Sequence, residues 1–295
     1  MPLKMPEPCF RLVVWTGPER PINRSKGWTE TRMTILITND DGIYSEGLLA
    51  LKGALQDLGR VVVVAPDRPR SASGHSITLH KPLRLEPVRL LDGDTGYASN
   101  GTPSDCISLG ILDVAGGPVD LVVSGINGGP NLGWDLTYSG TVSAAMEGAV
   151  MGVQAFSISV ASYDLSSGFN YAAEFANFLA RTLLEHRLPP SVFLNVNVPG
   201  VPPDQIAGVE VTRQGKRHYA GKVEKRTDPM GRAYYWLGGD APLDELEDGT
   251  DVKAIADDKV SVTPIHLDLT GYAAIEIVKS WDVESFRYRV LPDED

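Results

Sequence analysis

The sequence predicts an α/β fold, a Rossmann-like, mostly parallel sheet with helices on both faces, followed by a β-hairpin-rich C-terminal region. Three observations carry this expectation. Short β-branched runs recur without polar alternation, the texture of strands buried on both faces. Segments with apolar residues at helical spacing separate them. Beyond about residue 205 the pattern changes to alternating strands and turn residues.

Taken in order, "TILIT" (34 to 38) is the first strand, and "SEGLLALKGALQDLG" places Leu48, Leu51, Leu55 and Leu58 on one helical face before stopping at Gly59. "RVVVVAP" completes a βαβ unit. "VDLVVSG" (119 to 125), a helix from about Thr141 to Met151, "AFSISVAS", a helix within 169 to 187 and "VFLNVNV" (192 to 198) continue the scheme. The expected core spans about 33 to 205, and a β-rich region about 206 to 295. Residues 1 to 32, rich in proline and basic residues, lack the long apolar stretch of a secretory signal. They are read as an N-terminal extension, disordered or preceding a natural start at Met33, although "FRLVVW" has the makings of an edge strand.

With 295 residues and 42% hydrophobic content, the chain can bury a sizeable core. Its net charge of -11 disfavours nucleic-acid duplexes and anionic membranes as partners. Cys9 and Cys106 are too few for a disulfide framework, and no apolar run approaches the roughly 20 residues that span a bilayer. A cytoplasmic protein is expected.

In open parallel sheets, ligands bind beyond the carboxyl ends of the strands. Three such ends are unusual here: Asn39, Asp40, Asp41 and Gly42 after the first strand, "APDRPRSASGHS" (65 to 76) after the second, and "SGINGGPNLG" (124 to 133) after a later one. Adjacent carboxylates repel unless solvent, a shared proton or a cation relieves them. Together with the hydroxyls of Ser71 and Ser73 and the amides of Asn127 and Asn131, they form a hard oxygen donor set suited to Mg²⁺, Mn²⁺ or Ca²⁺ rather than zinc. Each residue has a plainer reading as well: helix cap, turn former or loop hydroxyl. His75 and His80 lack metal-pair spacing. No dinucleotide fingerprint or phosphate-loop lysine motif occurs, which disfavours a dehydrogenase. Ser139, Gly140 and Thr141 precede a run of good helix formers, so this helix start is either an anion cradle or only a capped end. The expected phosphate-binding set is Asn39, Gly42, Asn131, Ser139, Gly140 and Thr141.

The blocks "ILITNDDGIYSEGLLAL", "VVVAPDRPRSASGHSIT", "NGTPSDCISLG", "LVVSGINGGPNLGWDLTYSGTVSAAMEGA" and "VSVTPIHLDLT" occur in that order. Over Met33 to near Asp268 the chain resembles the SurE family, the survival proteins that are metal-dependent 5′-nucleotidases. The resemblance implies one divalent cation per subunit, Mg²⁺ or Mn²⁺, held by Asp40, Asp41, Ser71 and Asn127. It implies hydrolysis of nucleoside 5′-monophosphates to nucleoside and phosphate, with 3′-nucleotides and polyphosphate as open additions. It also implies a homodimer or homotetramer whose C-terminal elements are exchanged between subunits. The leader of 32 residues departs from the family pattern. Asp40 and Asp41 are the candidate catalytic residues, with the choice between water positioning, general base and nucleophile left open. Direct attack is disfavoured because the carboxylates are contiguous rather than spaced D-x-D. The competing reading is a non-catalytic divalent-metal or nucleotide-binding module.

Overall fold

The strand at Met33–Thr38 (β1) is buried along nearly its whole length, and its side chains divide between two cores. Ile35 and Ile37 join one with Leu48, Leu51 and Leu55, while Leu36 joins the other with Val62 and Val64. That division requires a helical layer on each face. This is a computed structural model, and it describes residues 33–164, 169–219, 221–239 and 242–287; the expected N-terminal extension lies outside them.

The helix Glu46–Leu55 (α1), capped by Ser45, returns the chain to β2 (Gly59–Pro66), which pairs in parallel with β1. An antiparallel pair, β3 (Leu85–Arg89) and β4 (Thr95–Ser99), extends that edge and leads to α2 (Pro103–Leu109). The chain then crosses to the other side of β1 as β5 (Leu121–Gly128). A 3-10 turn (Gly133–Thr137) and α3 (Gly140–Val150) precede β6 (Gln154–Ala161), and α4 (Asn170–Glu185) precedes β7 (Val192–Pro199). The first core contains residues of α1 and α4, such as Leu51, Phe175 and Leu179; the second contains Ile107 of α2 and Val142 and Ala145 of α3. Helices therefore cover both faces, as the uniformly apolar strands require.

The C-terminal region contributes β8 (Gly208–Val211), β9 (Arg217–His218), β10 (Gly221–Thr227), β11 (Ala233–Gly239), β12 (Leu243–Asp244), α5 (Asp251–Ala256), β13 (Lys259–His266) and α6 (Tyr272–Lys279). The strand order of the nine-stranded sheet is β3-β4-β2-β1-β5-β6-β7-β13-β8. The sheet thus continues past residue 205, the expected end of the core. β13 adds antiparallel to β7, with Ser261 opposite Asn197, and β8 runs parallel to β13. Antiparallel β10 and β11 form the expected hairpin outside the sheet.

Two features matter for function. β1 is followed by β2 on one side and β5 on the other, so the topological switch point falls between β1 and β5, where such sheets bind ligands. No residue of α6 is buried, and Trp236, Leu237, Ile277 and Trp281 are exposed, an apolar surface uncovered in the single chain. Among the described residues, no helix is long and apolar enough to cross a membrane.

Candidate active site

The site is built outward from the end of β1. Asn39 is fully buried, and both ends of its amide are used within the turn: Nδ2 donates to the Gly42 carbonyl (3.1 Å) and Ser45 Oγ (2.6 Å), while Oδ1 accepts from the Gly42 N–H (3.2 Å). Gly42 has φ +100°, a conformation that a residue with a Cβ rarely adopts. The sequence places Asn39 and Gly42 in the phosphate-binding set, and here both make contacts within the turn. They shape the turn that carries Asp40 and Asp41, and their polar groups are already engaged in it.

Asp40 is buried and accepts hydrogen bonds from the Thr141 hydroxyl and the Thr141 backbone N–H. Burial pushes its carboxyl up to about 6; the Thr141 hydrogen bonds oppose the rise and the Asp41 charge adds to it. Asp41 is half-buried and accepts from the Gly128 N–H, and burial raises its pKa as well. The pair is thus a poorly compensated concentration of negative charge. The start of α3 is its main counterweight: Ser139 Oγ accepts from the Val142 N–H (3.1 Å), and Thr141 turns its hydroxyl and N–H onto Asp40. The positive end of the helix dipole therefore faces a carboxylate.

The helix start at Ser139, Gly140 and Thr141 therefore borders the carboxylates directly. The helix start and the carboxylate pair are one structure rather than two opposed poles, because Thr141 already serves Asp40. Gly140 permits the contact: a Cβ there would lie 2.8 Å from Ser73 Oγ and 2.9 Å from Asp40 Cβ.

The β2 loop is tied over this centre at several points. The Arg70 N–H donates to the Asp40 carbonyl (2.7 Å), the Gly74 N–H to the Tyr138 carbonyl (3.0 Å), and His75 Nε2 pairs with Glu147 Oε2 (2.8 Å). Glu147, buried on α3, also accepts from the Ser108 hydroxyl (2.8 Å). Ser71 is exposed on this loop. Ser73 Oγ and Asp40 both border Gly140, and that Oγ is buried without a hydrogen-bond partner among the described residues. The residue pattern offers Ser71 and Ser73 alike, and the ligand set implied by the resemblance contains Ser71.

From β5, the Asn127 Nδ2 donates to the Gly129 carbonyl (2.8 Å). The register of β5 on β6 shifts between Ser124 and Asn127, so the ladder is irregular where this residue leaves the sheet. Asn131, the amide placed in the expected phosphate-binding set, is tied to β6 and β7. Its N–H donates to Asn197 Oδ1 (2.8 Å), its Nδ2 to Ser159 Oγ (2.8 Å), and its carbonyl accepts from Asn195 and Asn197 (both 2.9 Å). Asn131 anchors the loop to the ends of β6 and β7.

The C-terminal region braces the same loop, a role the sequence did not reveal. Buried Asp251 accepts from the Gly133 N–H (2.8 Å) and the Gly215 N–H (2.7 Å). Arg217 joins Asp135 (3.1 Å) to Asp244 (2.7 Å), and the Tyr219 hydroxyl also donates to Asp135 (2.7 Å).

Two adjacent carboxylates, serine hydroxyls and an asparagine amide, set against a helix N-terminus, suit an oxygen-preferring divalent cation and a phosphate-like anion. Among the described residues, no group of three His, Cys, Asp or Glu side chains is placed to hold a metal, so any cation here must also draw on hydroxyl and amide oxygens.

Comparison with known proteins gives the family and the fold. The family described as "Survival protein SurE" matches residues 35–221. A protein of Geobacter sulfurreducens named 5′-nucleotidase SurE is 49% identical over 255 residues, covering 86% of this chain and 96% of its own. One of the same name from Pelobacter propionicus is 50% identical over 250 residues, covering 84% and 99%. The crystal structure of the SurE protein from Aquifex aeolicus superposes with a TM-score of 0.73 at 42% identity, covering 84% of this chain and 99% of that one.

Proposed function

The chain belongs to the SurE family, and from that premise we infer that it is a metal-dependent 5′-nucleotidase, a hydrolase that releases nucleoside and inorganic phosphate from nucleoside 5′-monophosphates. The observation that carries the reading is the Asp40–Asp41 pair at the switch point of the sheet, with the start of α3 turned onto Asp40.

We assign one divalent cation per subunit, Mg²⁺ or Mn²⁺, to Asp40, Asp41, Ser71 and Asn127. The donor chemistry fits: all are oxygen donors, and burial, with the Asp41 charge adding to it, raises the Asp40 carboxyl, a cost that a cation there offsets. When bound, such an ion supplies Lewis-acid polarisation of a phosphoryl oxygen and lowers the pKa of a coordinated water. The chain's own residues do the rest. Thr141 fixes the Asp40 carboxylate in one orientation. Asp41, the more exposed of the two, is the carboxylate we assign to orient the attacking water and receive its proton. The water oxygen forms the new bond to phosphorus as the ester P–O bond breaks, and the leaving 5′-oxygen ends as the nucleoside hydroxyl. The remaining N–H capacity at the start of α3, around Ser139 and Gly140, is our choice for stabilising the phosphoryl oxygens. Ser73 Oγ, buried beside Asp40 without a partner, is a further donor available to this group.

The exposed apolar faces of α6 and of the β10–β11 hairpin support a homodimer or homotetramer. The paucity of cysteine supports a cytoplasmic enzyme.

Phosphate release from AMP, measured after chelation and again after adding Mg²⁺ or Mn²⁺, tests the reading. Activity that is lost and then restored supports it; a protein that binds AMP and metal without turnover would make it a binding module instead. 3′-Nucleotides and polyphosphate present the same terminal phosphoryl group, and we include them in the substrate range to be assayed.

A further inference from the structure

The metal and phosphate chemistry explains how the phosphoryl group is held but leaves the nucleoside half of the substrate without a partner. With a net charge of -11, the molecule as a whole does not attract an anionic nucleotide, so recognition of the base requires a local contact. Tyr163 is placed to provide one. It follows β6 at the carboxyl edge of the sheet, at the tip of a tight turn in which the Ser162 hydroxyl donates to the Asp164 carbonyl (2.8 Å) and accepts from the Asp164 N–H (3.1 Å). Its ring lies against Gly129, where a Cβ would come within 2.7 Å of Tyr163 Cε1, and Gly129 has φ +122°. Gly129 in turn is held to β6 through the Val160 carbonyl (2.9 Å) and accepts from Asn127 Nδ2. Its neighbour Gly128 donates to Asp41. An aromatic ring that is 85% exposed therefore rests on Gly129, the residue next to the backbone that touches the carboxylate pair.

We propose that Tyr163 is the stacking platform for the nucleobase of the substrate, a specificity residue that lies outside the phosphoryl centre. This rests on the nucleotidase reading above. Every base has a π-face, so such a platform favours nucleotides over sugar phosphates without selecting one base.

The test compares AMP with ribose 5-phosphate in the wild type, Tyr163→Ala and Tyr163→Phe, with adenosine and inorganic phosphate as separate inhibitors. The ratio of kcat/KM for AMP to that for ribose 5-phosphate falls roughly tenfold in Tyr163→Ala, through KM, and is kept in Tyr163→Phe. Inhibition by adenosine weakens in the same proportion, and inhibition by phosphate does not move. An unchanged ratio in Tyr163→Ala overturns the proposal. So does a Phe variant as impaired as Ala, or a loss of phosphate inhibition equal to the loss of adenosine inhibition, which would mark the ring as a support for the loop. A wild type that hydrolyses ribose 5-phosphate as well as AMP overturns the nucleotidase reading itself, and the base platform with it.

Discussion

Replacing Gly140 with alanine separates stability from function in this fold. Alanine is the better helix former, by up to about 1 kcal/mol in a helix interior and less at the first position, so the substitution is neutral or slightly favourable for α3 itself. The new methyl group, however, would lie 2.8 Å from Ser73 Oγ, 2.9 Å from Asp40 Cβ and 3.1 Å from Asp40 Oδ2. Serine can rotate its hydroxyl away. Asp40 cannot, because its backbone carbonyl accepts from the Arg70 N–H and its carboxylate from Thr141. The relief must come from moving the carboxylate by several tenths of an ångström. A 1 Å displacement of a catalytic group costs about a hundredfold in rate, so a loss of about tenfold in kcat/KM is expected, with weaker divalent-cation affinity. Kinetics on AMP, metal titration and thermal melting measure the three quantities on one sample. Had the helix start been an independent phosphate cradle, metal affinity would survive and only phosphate inhibition would suffer. A Gly140→Ala protein with unchanged turnover and unchanged metal affinity would refute the coupling described here.

Three further outcomes are expected. In chelator, Asp40→Asn stabilises the protein above pH 6 and loses that gain toward pH 4. The native carboxyl is raised to about 6, so between roughly pH 4 and pH 6 native Asp40 keeps a proton that unfolded Asp has lost, and the cost of its charge grows across that window and is complete above it; melting at pH 7.5 and pH 4.5 reads the difference, which reaches about 3 kcal/mol at most. Arg217→Met leaves Asp135 and Asp244 facing each other without their shared cation and lowers stability by about 2 to 4 kcal/mol, seen as a fall in Tm; an unchanged Tm would show that the C-terminal brace contributes nothing. Sedimentation velocity gives a dimer or tetramer, and charge introduced at the exposed Trp236 or Ile277 shifts it toward monomer; a monomeric wild type would contradict the oligomer assignment.

The central strands and helices were legible because burial on two faces writes itself as uninterrupted apolar runs, and because Ser45 and Ser139 mark helix starts with capping hydroxyls. The edge was not. β3, "LEPVR", is half exposed and carries a proline, so it has neither the periodicity nor the composition of a central strand. β13 and β8 were read as part of an appended region because their membership of the sheet depends on pairing with a strand some 60 residues away, which no local pattern records. The site divides in the same way. Asp40 and Asp41 stand out by adjacency alone. Asn39 and Asn131 look like ligands in the sequence, and what each amide donates to is written only in the fold: Ser45 for one, and Ser159 for the other, across 28 residues. Thr141, read as a phosphate contact, serves Asp40 over 101 residues of separation.

The account stands or falls on whether the Asp40–Asp41 pair binds the cation on which hydrolysis depends. Calorimetric titration of Mn²⁺ into the chelated wild type and into Asp41→Asn, paired with phosphate release from AMP on the same preparations, tests this directly. One site per chain in the wild type, and a loss of affinity in Asp41→Asn matched by a loss of turnover at limiting metal, is the predicted result. Equal Mn²⁺ binding by both proteins, or phosphate release that proceeds undiminished in chelator, would contradict it.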